Sequence, residues 1–574
     1  MTPPPAASGE KPTFLSQFTQ FSGLYWIANW MELVERFAYY GVRVVLPVFM
    51  VASFKDGGPE FDHLQKGFVY AIWALVQSFV PIFTGGFADR YGYKLNIAIS
   101  TVLKIVGYLL MGFCIPLAER LAGAELSVAR AAGTDLTFEI FFAGAMFLAL
   151  GTAIFKPGLQ GLIAHQMPKK SAALGWALFY QMVNIGGFIG PMIAGYLRVL
   201  EWQYVFLACS AGIALNFIPL LLFKEPEHHG DDNQAGPLKL LADAIHGLLE
   251  PRLFFFTISF AGFWLMFYQL FDILPNFIDD WVDSRAAASA LAGVFGDGAV
   301  PTVNEGNLTQ EWMINFNALL ISCLAFAMGF LTGKVRSLTA IVVGIAVSAA
   351  AIYGLGMSMS GWWTLAAIGL FSLGEMSASP TKMRYLASIA PPGKEGLYMG
   401  YVNFTVGIGW SIGSVIAGEM YQEGGDKIVL ARRYLVEEQG VAQEVVDGLG
   451  RADVLPFFQE TLAMDPWQTR ELLWNTYEPQ SMWLVFTLIG LASMLLILVY
   501  DKVTSAANER PDHPFNTSGH LWVRTALVPI VGAFGLAWFR RPDDYSVAVL
   551  MIMFLIMFIA SFTKKHEPST AMKA

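Results

Sequence analysis

Apolar runs of about 20 residues recur along the whole chain, separated by short polar turns. They lie near 22–52, 66–88, 95–118, 136–165, 172–199 and 203–223, then near 253–281, 313–333, 338–358, 362–391, 397–421 and 480–500. Two more follow near 521–539 and 544–562. A run of this length crosses the hydrocarbon core as an α-helix, which satisfies its backbone groups internally. The pattern predicts an all-α polytopic membrane protein with two six-helix bundles and two extra C-terminal transmembrane helices, 14 in total. Residues 1–21 read as a tail and 22–223 as the N-terminal bundle. Residues 224–251 read as a linker whose second half is an amphipathic interfacial helix. The C-terminal bundle takes 252–501, including a helical insertion at 422–479, and 521–562 forms the added pair.

The first run breaks its own pattern. Between Phe21 and Val51 it carries Glu32, Glu35, Arg36 and Arg43, with Tyr39 and Tyr40 between them. Positions three and four apart share a helix face, so these six make one polar stripe about three turns long. A charge at the bilayer centre costs at least ~2.5–3.5 kcal/mol, so such a stripe predicts partners and a pathway rather than a lipid-facing surface. Lys156 is a second case, an ammonium inside the fourth run. A buried lysine loses its proton or pairs with an acid, and Glu32 and Glu35 are the obvious acids. Two carboxylates and two cations that exchange partners form a bistable network in which a proton on one glutamate frees a cation. The competing reading is a static ion cluster that only fixes helix packing.

Composition agrees with the class: 55% hydrophobic and 14% charged residues, against about 25% charged in soluble domains. The net charge of −9 is spread over loops and implies no nucleic-acid partner. Cys114, Cys209 and Cys323 all sit in apolar runs, so neither a disulfide nor a metal framework is expected. The stretch MTPPPAASGEKPT lacks a basic start and an apolar core, so no cleavable signal peptide is expected. Lysine and arginine at Arg90–Lys94, Lys169–Lys170, Lys334–Arg336, Lys382–Lys394 and Lys564–Lys565 share one side if both termini are cytoplasmic. Segments 282–311 and 422–479 then lie outside. No nucleotide loop, metal spacing or nucleophile–base pair appears in the polar segments, which argues against an enzyme and gives no cofactor.

Between the second and third runs, Gly85-Gly-Phe-Ala-Asp89-Arg90-Tyr-Gly-Tyr-Lys94 resembles the loop signature of the major facilitator superfamily, with Gly85, Asp89 and Arg90 as its gating residues. The stripe Glu32-x-x-Glu35-Arg36-Phe37-x-Tyr39-Tyr40-Gly41 resembles the ExxERF-x-YYG signature of the proton-coupled oligopeptide transporters. Further points agree in order: Phe155-Lys156-Pro157, Phe179-Tyr180 with Asn184 and Gly186, Phe263-Trp264 with Gln269, Asn317, Gly374-Glu375, Ser379-Pro380 and Ala390-Pro391. The resemblance covers the twelve-span core but not 422–479 or the last two spans.

The resemblance implies an inner-membrane bacterial symporter for di- or tripeptides, driven by protons, with no cofactor. Glu32, Glu35, Arg36 and Lys156, with Asp272, would handle proton coupling. Arg43 and Lys156 would attract the peptide carboxylate, and Glu375 with Asn184 and Asn317 the peptide ammonium. Tyr39, Tyr40, Tyr70 and Tyr268 would line the pocket. Tyr268 stands where the family carries an acid, which leaves Arg43 without its expected partner, and Asp272 one turn on is the candidate substitute. Where animal members have a histidine in the second span, this chain has Ala71. Two other readings remain: a facilitator for another amine- or anion-bearing solute, and a non-transporting receptor or scaffold.

Overall fold

The computed structural model describes residues 20–82, 84, 91–167, 172–225, 237–391 and 395–563. Among them, ten helices are long and apolar enough to cross a membrane. These are spans 3 (Tyr93–Gly112), 4 (Thr137–His165), 5 (Leu174–Leu200), 6 (Trp202–Leu222), 7 (Pro251–Asp272), 8 (Gln310–Gly333), 9 (Ser337–Leu355), 12 (Pro479–Glu509), 13 (Pro514–Arg540) and 14 (Tyr545–Thr563). The other four expected spans are helices too: 1 (Gly23–Phe49), 2 (His63–Phe79), 10 (Gly361–Ile389) and 11 (Val402–Gly424). Spans 1, 2 and 10 carry buried ionisable residues, from Glu32 and Arg43 to Lys66 and Lys382, and span 11 is rich in glycine and serine. The only strands among the described residues are Thr302–Val303 and Asn307–Leu308, a hairpin closed by Gly306 in the left-handed region.

Span 1 packs on span 5, span 3 on span 4, span 9 on span 10, and span 7 on spans 11 and 12; across the halves, span 2 meets span 11 and span 5 meets span 8. Glycine sets the closest approach. A methyl on Gly186 or Gly190 of span 5 would lie 2.3 Å from the carbonyl oxygens of Leu33 and Phe37 in span 1. Gly190→Ala therefore forces the helices apart, an overpacking cost of about 1–3 kcal/mol. We expect a lower thermal midpoint in detergent; an unchanged one would refute this contact.

Proline shapes two sites. It has no N–H to give the carbonyl four residues back. In span 4, Pro157 leaves the Ala153 carbonyl open, and the Thr84 hydroxyl donates to it at 3.1 Å. Span 7 was expected as one helix over 253–281, but it is broken at Tyr268 and Ile273 into Pro251–Phe267, Gln269–Asp272 and Leu274–Trp281. Pro275 cannot reach the Phe271 carbonyl, and Arg43 Nη1 of span 1 donates there instead, at 3.4 Å. Pro275 thus leaves a carbonyl at the break in span 7 that receives the arginine.

Segment 422–479 folds as four short helices, Lys427–Glu437, Gln443–Asp447, Val454–Leu462 and Pro466–Tyr477, over a small core of Leu430, Leu435, Val454, Phe458 and Leu473. We call the membrane side that bears it the cap side. Polar ties between the halves gather there. Arg198 Nη1 donates to both oxygens of Glu311 at 3.1 Å and Nη2 to Asp279 at 2.7 Å. Lys66 Nζ donates to Asn276 Oδ1 at 2.6 Å, and Asn276 Nδ2 to the Pro47 carbonyl at 2.9 Å. Gln310 Nε2 donates to the Val44 carbonyl at 2.9 Å. Spans 13 and 14 touch spans 2, 7, 11 and 12. Arg541 between them pairs with Glu419 at 2.6 Å, and His246 of the linker helix Pro237–Leu248 meets Thr563 at 3.0 Å.

Asp426 fastens the cap. Its Oδ1 caps the first cap helix by accepting from Ile428 N at 2.8 Å, and Oδ2 meets Arg451 Nη2 at 2.6 Å and His63 Nε2 at 2.9 Å. Burial pushes this carboxyl up, but Arg451 and His63 outweigh it and hold it well below the usual carboxylate range. A depressed folded-state value adds stability above the unfolded value, and that stability fades as pH falls towards the folded one. Hydrogen-exchange protection of the cap should therefore hold from about pH 7 to about pH 5 and decline below about pH 4. In Arg451→Ala the decline should shrink; an equal decline would refute the assignment.

Candidate functional site

Spans 1, 2, 4, 5, 7, 8 and 10 line a cavity of about 270 Å³ between the two bundles. One wall holds Arg36, Tyr39, Tyr40 and Arg43 of span 1, with Lys156, Tyr180 and Asn184. The other holds Tyr268, Asn317 and Glu375, with an apolar lining of Trp264, Phe267, Phe271, Ile314 and Ile321. Asn317 Nδ2 donates to Glu375 Oε2 at 2.9 Å and to Ser372 Oγ at 3.0 Å, which orients the carboxylate. Asn184 Nδ2 is turned back to its own helix, at 2.9 Å from the Tyr180 carbonyl. Gln77 of span 2, a residue sequence reading passed over, lines the cavity and accepts from Tyr39 Oη at 3.0 Å and Trp73 Nε1 at 2.8 Å.

The glutamates of the stripe sit behind the cavity, not on its wall. Glu32 is 3% exposed and Glu35 fully buried. Arg36 joins them, Nε to Glu32 at 2.9 Å and Nη2 to Glu35 at 2.6 Å. The ammonium that completes this network is Lys104 of span 3, 2.6 Å from Glu35 Oε1 and 3.9 Å from the Phe155 ring centroid. This corrects the expectation that Lys156 pairs with the stripe's acids. Lys156 is half-buried, faces the cavity and has no ion pair among the described residues. The physical reason is helix approach: a methyl on Gly151 of span 4 would meet the Lys104 side chain at 2.8 Å, so spans 3 and 4 press Lys104 into the acid site first.

Arg43 has its partner. Nη2 is ion-paired with Asp272 Oδ1, whose other oxygen accepts from Ser414 Oγ at 2.6 Å and Trp410 Nε1 at 3.1 Å. The guanidinium lies against two neighbouring rings, 4.1 Å from the Tyr70 centroid and 5.1 Å from that of Trp410. Tyr268 stacks on Trp410, with ring centroids 4.3 Å apart and planes tilted by only 6°. Tyr70 was expected to line the pocket, but it is 1% exposed and backs Arg43 instead. Span 2 is held against span 11, where a methyl on Gly67 would lie 2.6 Å from the Ser414 carbonyl, and this turns Tyr70 inward. The gating residues Gly85, Asp89 and Arg90 lie outside the described residues.

A family model described as Major Facilitator Superfamily matches residues 30–303. The Peptide transporter YePEPT of Yersinia enterocolitica is 28% identical over 216 residues, which is 37% of this chain and 37% of its own. Dipeptide and tripeptide permease A of Proteus mirabilis is 23% identical over 448 residues, covering 68% of this chain and 84% of its own. Multidrug resistance protein MdtH of the same organism is 22% identical over 388 residues, covering 67% and 84%. The solved structure of a POT family transporter in complex with 5-aminolevulinic acid has a TM-score of 0.56 at 15% identity, over 85% of this chain and 96% of that one. These structural likenesses establish the fold.

Proposed function

We propose that this chain, a divergent member of the proton-coupled oligopeptide transporter family of the major facilitator superfamily, imports di- or tripeptides with protons across the bacterial plasma membrane. It is a multi-pass membrane transporter; the cargo, the coupling and the orientation are our reading. The observation that carries it is the polarity of the cavity. Arg36, Arg43 and Lys156 belong to one bundle, and Glu375, held by Asn317, to the other. A zwitterion with separated ends bridges such poles and draws the bundles together, which links occupancy to closure. Lys156, which has no ion pair among the described residues, is the cation that takes the peptide carboxylate. Glu375 takes the ammonium, while the aromatic wall accepts side chains of varied shape.

In this reading the cap side is extracytoplasmic and both termini are cytoplasmic. The Arg198, Lys66 and Arg43 ties hold the outer ends together while the cavity serves the inside. Opening outwards breaks them, and rigid-body rocking of the two halves alternates access. Glu35, shared between Arg36 and Lys104, is the proton switch: protonation releases one cation and shifts the network. Uptake into proteoliposomes tests the whole. An inward proton gradient should drive accumulation of labelled dipeptide, and failure to do so under a verified gradient would overturn proton symport.

A second cargo class has support in the apolar wall and in the match to multidrug resistance proteins over 84% of their length. Thermal stabilisation by a dipeptide panel, set against simple anions and hydrophobic amines, separates the two. Binding without flux would favour the receptor reading.

A further inference from the structure

On the cap side, away from the transport cavity, an open recess of about 710 Å³ is lined by Asp283, Arg285, Ser358, Trp467, Arg470 and Glu471. Its floor is fixed, because Asp283 N donates to the Met359 carbonyl at 2.7 Å and Gly361 N to the Asp283 carbonyl at 2.8 Å. Trp467 lies between two guanidinium groups, with Arg285 3.7 Å and Arg470 4.2 Å from its ring. The two arginines differ. Arg285 is exposed and closed on Asp283 by paired hydrogen bonds, Nε at 3.0 Å and Nη2 at 2.7 Å. Arg470 is 7% exposed, and its buried Nε and Nη1 have no hydrogen-bond partner among the described residues. Burial pulls Arg470 below its ordinary range, and the more distant Asp280, Asp283 and Asp279 do not restore it. A buried guanidinium left unpartnered is costly, and its planar fork matches an oxyanion.

We propose that this recess is an oxyanion-binding site, in which Arg470, braced on Trp467, takes a small carboxylate or phosphate group. Ser358 and the backbone of the Met359 turn border the bound group. Glu471 opposes it by charge, so removing that charge strengthens binding. This site is independent of what the transport cavity carries.

The test uses the purified full-length protein in neutral detergent at constant ionic strength. Acetate and inorganic phosphate are titrated separately against chloride, and both thermal midpoint and tryptophan emission are followed. The expected result is a saturable shift with at least one oxyanion, lost in Arg470→Gln and retained in Lys156→Gln, which removes a cation of the transport cavity without breaking an ion pair among the described residues. Glu471→Gln lies on the surface and should lower the midpoint concentration about threefold, a gain that a folding defect cannot imitate. The emission change should vanish in Trp467→Phe. The planar and tetrahedral probes show which class the site accepts. Equal shifts in the native protein and Arg470→Gln, no saturation, or no gain in Glu471→Gln would each overturn the proposal.

Discussion

Arg43→Ala is expected to abolish dipeptide uptake. The side chain is 4% exposed, ion-paired with Asp272 and enclosed by Tyr70 and Trp410. Its removal leaves a buried carboxylate uncompensated, which costs about 3–5 kcal/mol when one partner of a buried pair is lost. It also strips a positive charge from the cavity wall, and a hydrogen bond to a charged group is worth about 1.5–3 kcal/mol, or roughly 10- to 150-fold in affinity. Arg43→Lys separates the two contributions. It keeps the charge but loses the planar fork that reaches Asp272 and the Phe271 carbonyl together, so intermediate uptake with a raised KM is expected. Asp272→Asn should instead keep peptide binding and impair the cycle, because the tie on the cap side is weakened while the arginine remains. Native uptake in Arg43→Ala, measured in proteoliposomes with protein amount and orientation controlled, would remove Arg43 from the site.

The spans, the stripe and the two poles of the cavity were legible because each rests on local spacing. Apolar length fixes a span, and a period of three to four places Glu32, Glu35, Arg36 and Arg43 on one face. Lys104 was not legible in the same way. It is a single lysine in an apolar run, and which lysine reaches Glu35 depends on how spans 3 and 4 approach at Gly107, Gly144 and Gly151. The signal existed: the argument that singled out Lys156 as a buried ammonium applies equally to Lys66, Lys104 and Lys382, all almost fully buried. Asp272 was within reach of sequence reasoning as the acid one turn beyond Tyr268. Its geometry depends on the break that Pro275 introduces, and on Ser414 and Trp410 arriving from span 11. The Arg470 recess depends on distant turns meeting a cap helix, and no local spacing encodes that.

Glu35→Gln should uncouple transport from the proton gradient while leaving the carrier folded. Glu35 accepts from Lys104 on one oxygen and pairs with Arg36 on the other, so it alone joins both cations. The amide keeps the volume and can still accept a hydrogen bond, but it cannot bind and release a proton, and its contact with Lys104 becomes charge-to-dipole. Gradient-driven accumulation should fall by at least tenfold, about 1.4 kcal/mol of lost driving force. Exchange of labelled for unlabelled peptide needs no net proton movement and should stay within about threefold of native, since the cavity wall formed by Arg43, Lys156 and Glu375 is untouched. The double change Glu35→Gln with Lys104→Gln discriminates a switch from a packing cluster. If the pair only fixes spans 1 and 3, the double variant removes the stranded ammonium and should recover stability and driven uptake together. If Glu35 is the switch, stability recovers and driven uptake does not. Recovery of both would reduce the network to scaffolding and move the search for the proton site to Glu32 or Asp272.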